Sequence, residues 1–291
     1  MGGGTSDILF GAVQGSIGKG CQKYDSDYDI RFISKGGCEE LLNEGEWIDN
    51  VTRVVANVSP IPIPSIDKIS FWNYGSFFNL LLESGNQKRF ISPTLYYQVF
   101  QTLFSPYVYD PYGLIVKIIP IVKTIADLEI LQMHFKSVLK HNTDKLEGGE
   151  VYDKVYYDAV HAVLSLKWIT LCKEVPPYAF DTLFFIEDDK KIQAELMGLR
   201  NRINDQLLND IECGSEYSMK MSREYLLCND VLKGYLKRYL DEFEGDIDEG
   251  KEKNVACYIP IKEQRKGLLH IRDIITGIGK EPRVKGVIPI G

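Results

Sequence analysis

Apolar positions over the first eighty residues recur mostly in the manner of strands. Ile8-Leu9-Phe10-Gly11-Ala12-Val13 is a short apolar run closed by Gly15-Ser16, which predicts a buried strand ending in a turn. After a stretch containing Gly, Lys and Ser, Tyr28-Asp29-Ile30-Arg31-Phe32-Ile33 alternates and predicts a second strand. Residues 36 to 50 read as a short polar connection. Val51 to Ile66 is rich in Val and Ile, but Pro60, Pro62 and Pro64 limit it to a strand followed by an extended edge. Ile66 to Phe71 predicts a third strand. Phe77, Phe78, Leu80, Leu81 and Leu82 then open a helix that ends near Ser84-Gly85-Asn86.

From Tyr96 onward the period turns helical. Leu114 to His141 carries apolar residues three and four apart, with a break expected at Pro120. Tyr152 to Cys172 is the clearest helix, with Tyr156, Val160, Val163, Leu164, Leu166 and Trp168 on one broad buried face. Pro176-Pro177 closes that unit. Ile192 to Leu208 and Ser222 to Phe243 predict further helices, and the acidic stretch Asp241 to Glu252 an exposed linker or loop. Val255 to Ile261 and Arg283 to Ile290 are strand-like pieces without an assigned place. The fold class is α+β: a small mixed-sheet unit over 1–110, a helical unit over 111–210 and an extension over 211–291.

Composition changes this picture little. With 291 residues, 44% hydrophobic and 26% charged, the chain can bury two packed units. A formal charge of −7 argues against the broad basic surface of a non-specific nucleic-acid binder, though not against a small basic groove. The six cysteines form no C-x-x-C pair, which predicts free thiols in a reducing compartment and no zinc site. The amino terminus lacks the basic start and apolar stretch of a signal peptide. The longest apolar window, Leu114 to Leu131, is interrupted by Lys117, Pro120, Lys123, Asp127 and Glu129. The expectation is a cytoplasmic protein with no membrane partner.

The candidate chemistry lies between Gly15 and Arg31. On a strand, side chains at i and i+2 share a face, so Asp27 and Asp29 project together while Tyr28 and Ile30 face away. Two carboxylates that close repel unless a cation lies between them. Magnesium, with manganese as its substitute, is a hard ion that suits oxygen ligands when phosphates complete its shell. Gly15 lets the backbone approach a phosphate closely and Ser16 adds a hydroxyl donor. A helix starting at Ser16 would turn its amino-terminal N–H groups toward a triphosphate.

Other motifs fail. Gly15-x-x-Gly18-x-Gly20 does not complete a phosphate loop, because Val13 stands where its first glycine belongs and Gly20 follows Lys19 where Ser or Thr is required. His134, His141, His161 and His270 show no metal-ligand spacing, and Asp246-Ile247-Asp248 has no Gly-Ser partner.

A Gly-Ser corner, ten residues, then Asp-x-Asp resembles the signature of the DNA polymerase β nucleotidyltransferase superfamily. Ser26-Asp27-Tyr28-Asp29-Ile30-Arg31 resembles a branch of predicted nucleotidyltransferases associated with RNA repair. Further likenesses follow in order. Asp67-Lys68-Ile69-Ser70-Phe71-Trp72 resembles the third-carboxylate strand and Phe77 to Gly85 the Leu-rich helix after it. Ser105-Pro106-Tyr107-Val108-Tyr109 and Pro176-Pro177-Tyr178-Ala179-Phe180 resemble short family landmarks, and Tyr152 to Trp168 the main helix. The resemblance spans roughly residues 8 to 210. It implies a third carboxylate, assigned to Asp67; Asp49 is the competitor, and a helix cap is the structural alternative for Asp67.

The same resemblance sets Lys154 at the start of the long helix, where it would reach the triphosphate, although an ordinary exposed helix lysine would read the same. It sets His161 where relatives carry an arginine that clamps phosphate. Ser84-Gly85-Asn86-Gln87 departs from an Asn-Pro with a nearby glutamate. Arg31, two residues past Asp29, faces the acids and would contact phosphate or pair with an acid. The implied reaction is metal-dependent transfer of a nucleoside monophosphate from a nucleoside triphosphate to an acceptor hydroxyl, an RNA end, with release of pyrophosphate. Asp27, Asp29 and Asp67 would hold metal and activate the acceptor; Gly15, Ser16, Arg31, Lys154 and His161 would form the nucleotide-binding set. Nucleotidylation of a protein or small molecule, and a non-catalytic nucleotide-binding module, are the alternatives.

Overall fold

A computed structural model describes residues 8–21, 26, 29–35, 68–81, 92–149, 152–213, 229–248 and 261–277. The chain opens with β1 (Ile8–Val13), α1 (Gly15–Lys19), β2 (Asp29–Ser34), β3 (Lys68–Asn73), α2 (Tyr74–Asn79), α3 (Pro93–Leu103) and β4 (Val108–Tyr109). It continues with α4 (Leu114–Ile125), α5 (Leu128–Glu147), α6 (Asp153–Cys172) and α7 (Phe180–Leu183). After a 3-10 turn at Phe184–Ile186 come α8 (Lys190–Cys213), α9 (Asp230–Asp248) and α10 (Ile261–Thr276). Among these residues no helix is long and apolar enough to cross a membrane.

The four strands form one mixed sheet in the order β3-β2-β1-β4. β1 runs antiparallel to both neighbours, whereas β2 and β3 are parallel, with Asp29 opposite Lys68 and Ser34 opposite Asn73. β1 is buried along its whole length and β2 along nearly all of it, as central strands covered on both faces require. α2 starts at Tyr74, ahead of the expected apolar cluster, because the Asn73 side chain accepts from the Gly75 amide at 2.8 Å and caps it. Its Phe77 and Phe78 rings then pack against Phe10, with centroids 6.2 and 6.5 Å away. The expected connection over 36–50, the edge over 51–66 and the helix end near 84–86 lie outside the described residues.

The chain groups into two units: Met1–Gly18 with Asp27–Asp127 and Tyr258–Gly291, and Lys19–Ser26 with Leu128–Cys257. The stretch of the first unit that ends at Asp127 includes α4, which packs on β1 and on α10. A β-carbon on Gly267 of α10 would lie 2.7 Å from Ile125 Cγ2 and 3.3 Å from Ile121 Cγ2, so any larger residue would have to push these side chains aside. The break expected at Pro120 falls instead at Ala126-Asp127, where Ala126 is extended and Tyr96 Oη accepts from the Asp127 amide at 2.6 Å. Pro120 is exposed, and the residue four before it, Val116, is 61% exposed, so the carbonyl that proline leaves unbonded is on the wet side of α4.

In the second unit α6 is buried nearly all round, wider than the single face expected; Trp168 is only half-buried. The acidic linker expected from Asp241 is helical through Asp248. An aromatic ladder explains this: Tyr235, Tyr239 and Phe243 recur every fourth residue, with successive ring centroids 5.0 and 5.9 Å apart. Lys136 of α5 lies over the Phe243 ring at 5.6 Å and Lys167 of α6 over Tyr239 at 5.5 Å. Beneath the ladder, buried Glu187 accepts from Lys167 Nζ at 2.8 Å, from Tyr235 Oη at 2.7 Å and from the Asp189 amide at 3.1 Å. Burial alone would raise this carboxyl, but the bonds from Lys167 and Tyr235 outweigh it and hold it below its ordinary range. The extension past residue 210 is therefore split, α9 completing the second unit and α10 the first.

Two buried histidines accompany α6. His161 Nε2 lies 2.9 Å from the Tyr178 carbonyl, which can only accept, so the ring is the neutral Nε2–H tautomer. Burial first, and then the Lys19 ammonium, lowers His161 to about 4 and His134 to about 3, against an ordinary 6.5. The unfolded chain therefore takes up protons before the folded one does. Stability is full above pH 6.5 and falls as the pH drops from there toward 4, by about 1.4 kcal/mol per pH unit for each ring.

Two outcomes follow for stability. Unfolding free energies from denaturant titrations should drop by about 2 kcal/mol per histidine between about pH 7 and pH 5, and His161→Gln should roughly halve that slope; a flat profile would show that neither ring is held neutral. Tyr235→Phe should lower stability by about 1.5–3 kcal/mol through loss of a bond to a carboxylate. An unchanged melting temperature would detach α9 from the second unit.

Candidate functional site

The site is built where β1 runs out. Val13 pairs with Ile30, and one residue later the Gln14 amide donates to the Asp29 carbonyl at 2.7 Å, so the two strands stay locked to the first residue of β2. On the other side, the Val13 amide donates to the Tyr107 carbonyl at 3.0 Å. Ser105 Oγ donates to the Val13 carbonyl at 2.6 Å and accepts from the Tyr107 amide at 3.2 Å. Ser105-Pro106-Tyr107 is therefore a brace for the end of β1.

Beyond this brace the chain must turn sharply, and Gly15 does so at φ +64°, in the left-handed region. A β-carbon there would sit 2.9 Å from Asp29 Oδ2. The Asp29 carboxylate thus occupies the space that a side chain at position 15 would fill. Ser16 follows, half-buried, and Gly18 closes the first helical bond onto the Gln14 carbonyl at 3.2 Å. The helix begins at Gly15, one residue before the Ser16 start considered from sequence.

Gly15 and Asp29 line one cleft of about 230 Å³ with Gln14, Ile30, Arg31, Ser70, Gln98 and Gln101. Arg31 is 8% exposed. Its Nε donates to Ser70 Oγ at 3.3 Å and its guanidinium lies 4.5 Å over the Trp72 ring, so the β3 side chains fix its direction. Gln14 Nε2 donates to Thr102 Oγ1 at 2.6 Å, tying α3 to the same corner.

Asp27 and Asp67 lie outside the described residues. Lys68, which follows Asp67 in the chain, is the register partner of Asp29. Among the described residues no group of three His, Cys, Asp or Glu side chains could hold a metal ion. Lys154 and His161 belong to the second unit. Lys154 is exposed on the first turn of α6, and its charge helps to lower Asp158 one turn on. His161 is 2% exposed and bonded to the Tyr178 carbonyl, so in this arrangement it offers no surface to a phosphate and acts in packing. Tyr178 and Phe180, from the second landmark, are buried beside α6, with Phe180 4.4 Å from Tyr157 between ring centroids.

Sequence reasoning did not single out Gln14, Ser70, Gln98 or Gln101. Gln98 and Gln101 stand three apart on α3, a spacing that puts them on one helix face without saying what that face meets. Lys19 was considered only for a phosphate loop. Its ammonium is 2.6 Å from Asp158 Oδ1, and its carbonyl accepts from Tyr157 Oη at 3.3 Å, so α6 holds it through both side chain and backbone.

The uncharacterized protein YcgL of Bacillus subtilis (strain 168) is 25% identical over 207 residues, which cover 69% of this chain and 72% of that protein. No solved structure matches significantly. The small mixed sheet with helices after it fits a polymerase β-like core. A model of the RNA repair pathway DNA polymerase beta family matches residues 4–210, from β1 through most of α8, and the chain belongs to that family.

Proposed function

We propose that this chain transfers a nucleoside monophosphate from a nucleoside triphosphate to a hydroxyl at an RNA end, releasing pyrophosphate. Family membership supports a nucleotidyltransferase role. The observation that carries the reading further is the Asp29 carboxylate packed into the space left by Gly15, in the lining of a polar cleft. The RNA acceptor rests on the family's description as an RNA repair pathway family.

A half-exposed carboxylate beside a side-chain-free corner suits a hard divalent cation, and carboxylate-only donors favour magnesium, or manganese in its place. Asp29 would hold it with Asp27 and Asp67. The bound ion would neutralise charge on the phosphates and acidify the attacking hydroxyl.

The remaining work falls to the chain's own groups. Gly15 leaves room for phosphate oxygens beside Asp29, and Ser16 donates its hydroxyl to them. Arg31, fixed by Ser70 and Trp72, places a cation on the cleft wall. Asp67 takes the proton of the acceptor hydroxyl on its carboxylate.

Asp29→Asn should reduce pyrophosphate release from nucleoside triphosphate and RNA by about 10²–10³-fold, with the melting curve unchanged. Turnover at the wild-type rate would end the proposal. Parallel incubations of labelled nucleotide with RNA, protein and small-molecule acceptors test the acceptor, and label appearing only outside RNA would overturn that part. Gly15→Ala should cost about 1 kcal/mol or more of stability, because the position needs positive φ. It should also cut turnover by displacing the Asp29 carboxylate; full activity in that variant would remove the corner from the site.

A further inference from the structure

Two amides on α3, Gln98 and Gln101, line the cleft that contains Asp29, Arg31 and Ser70. The bonds that brace β1 also hold this part of α3 in place. Gln14 Nε2 donates to Thr102 Oγ1 at 2.6 Å, and Thr102 Oγ1 in turn donates to the Gln98 carbonyl at 2.8 Å. Ser105, just past the end of the helix, donates to the Val13 carbonyl at 2.6 Å. The backbone carrying Gln98 is therefore fixed relative to the strand end that positions Gly15.

Gln98 Oε1 is buried and has no hydrogen-bond partner among the described residues. A buried amide oxygen left unbonded is costly, and a native structure keeps one where something else supplies the donor. An amide oxygen only accepts. With magnesium bound, triphosphate oxygens carry essentially no protons at neutral pH, so they cannot fill this need. The donors that a nucleotide offers are its ribose hydroxyls and the amino groups of its base.

We infer that Gln98 reads the nucleoside part of the substrate, its amide oxygen accepting a hydrogen bond from a ribose hydroxyl or a base amino group. The inference rests on the nucleotidyltransferase reading and assigns a specificity-determining residue within it. Because the residue recognises rather than reacts, its loss is felt as lost discrimination between substrates.

The test is a cycle between residue and ligand group, measured as binding of non-hydrolysable triphosphate analogues with magnesium. The set comprises the parent ribonucleotide, its 2′-deoxy and 3′-deoxy forms and a form without the base amino group. Wild-type protein should bind one of the three altered analogues about ten-fold more weakly than the parent. Gln98→Met should bind the parent about ten-fold more weakly and treat that analogue and the parent alike. The analogue that shows this convergence identifies ribose or base as the source of the donor. Gln98→Ala repeats the cycle should the Met variant melt early. Variants that preserve every wild-type affinity ratio would overturn the inference while leaving the transfer reaction standing. Wild-type protein that binds no triphosphate at all would overturn the transfer reading, and the Gln98 inference with it.

Discussion

A carboxylate and a side chain cannot occupy the same space, and at the end of β1 the carboxylate has it. Asp29 Oδ2 stands 2.9 Å from where a β-carbon on Gly15 would be. That contact disfavours a side chain at position 15, and the positive φ that turns the chain into α1 favours glycine there independently. The arrangement holds only if β1 ends at a fixed point. Bonds from Gln14 to Asp29, from Val13 to Tyr107 and from Ser105 to Val13 set that point from both neighbouring strands. Residues far apart in the sequence thus serve one short stretch of backbone.

In the second unit burial and pairing compete, and the outcome differs from group to group. For Asp158, loss of water is the largest single influence and would raise the carboxyl, yet Lys19, with its charge and its hydrogen bond, lowers it overall. Glu187 follows the same course through Lys167 and Tyr235. His161 goes the other way, since burial and the Lys19 charge both oppose protonation and outweigh its bond to Tyr178 and its attraction to Asp158. One ammonium at residue 19 therefore stabilises an anion and suppresses a cation on the same helix.

Strands and long helices were legible because their periods are written into the apolar positions. β1 and the core of β2 fall where those runs put them, and α6 is one residue shorter than its pattern. Local chemistry moved other boundaries: Asn73 advanced the start of α2, the Tyr235–Tyr239–Phe243 ladder carried α9 through an acidic stretch, and solvent on one side of α4 let it pass Pro120. Gly15, Asp29 and Arg31 were legible as a site because strand alternation and a glycine corner project forward from sequence. Gln98 was not, because an amide on a helix face says nothing of what the face meets. The family resemblance sets an arginine's role on His161, whereas its burial depends on packing with Tyr178 and Phe135.

Packing of α10 against α4 has a consequence for how the molecule is made. The first unit takes its strands from the beginning of the chain and one of its helices from residues 261–276, with Gly267 seated against Ile121 and Ile125. Ribosomes emit the amino-terminal portion first, so the sheet is synthesised well before the helix that covers α4. The part of α4 that meets α10 stays uncovered while the whole second unit emerges. The part of the molecule begun earliest is thus finished last, and a chain released early would leave that surface open to the wrong partner.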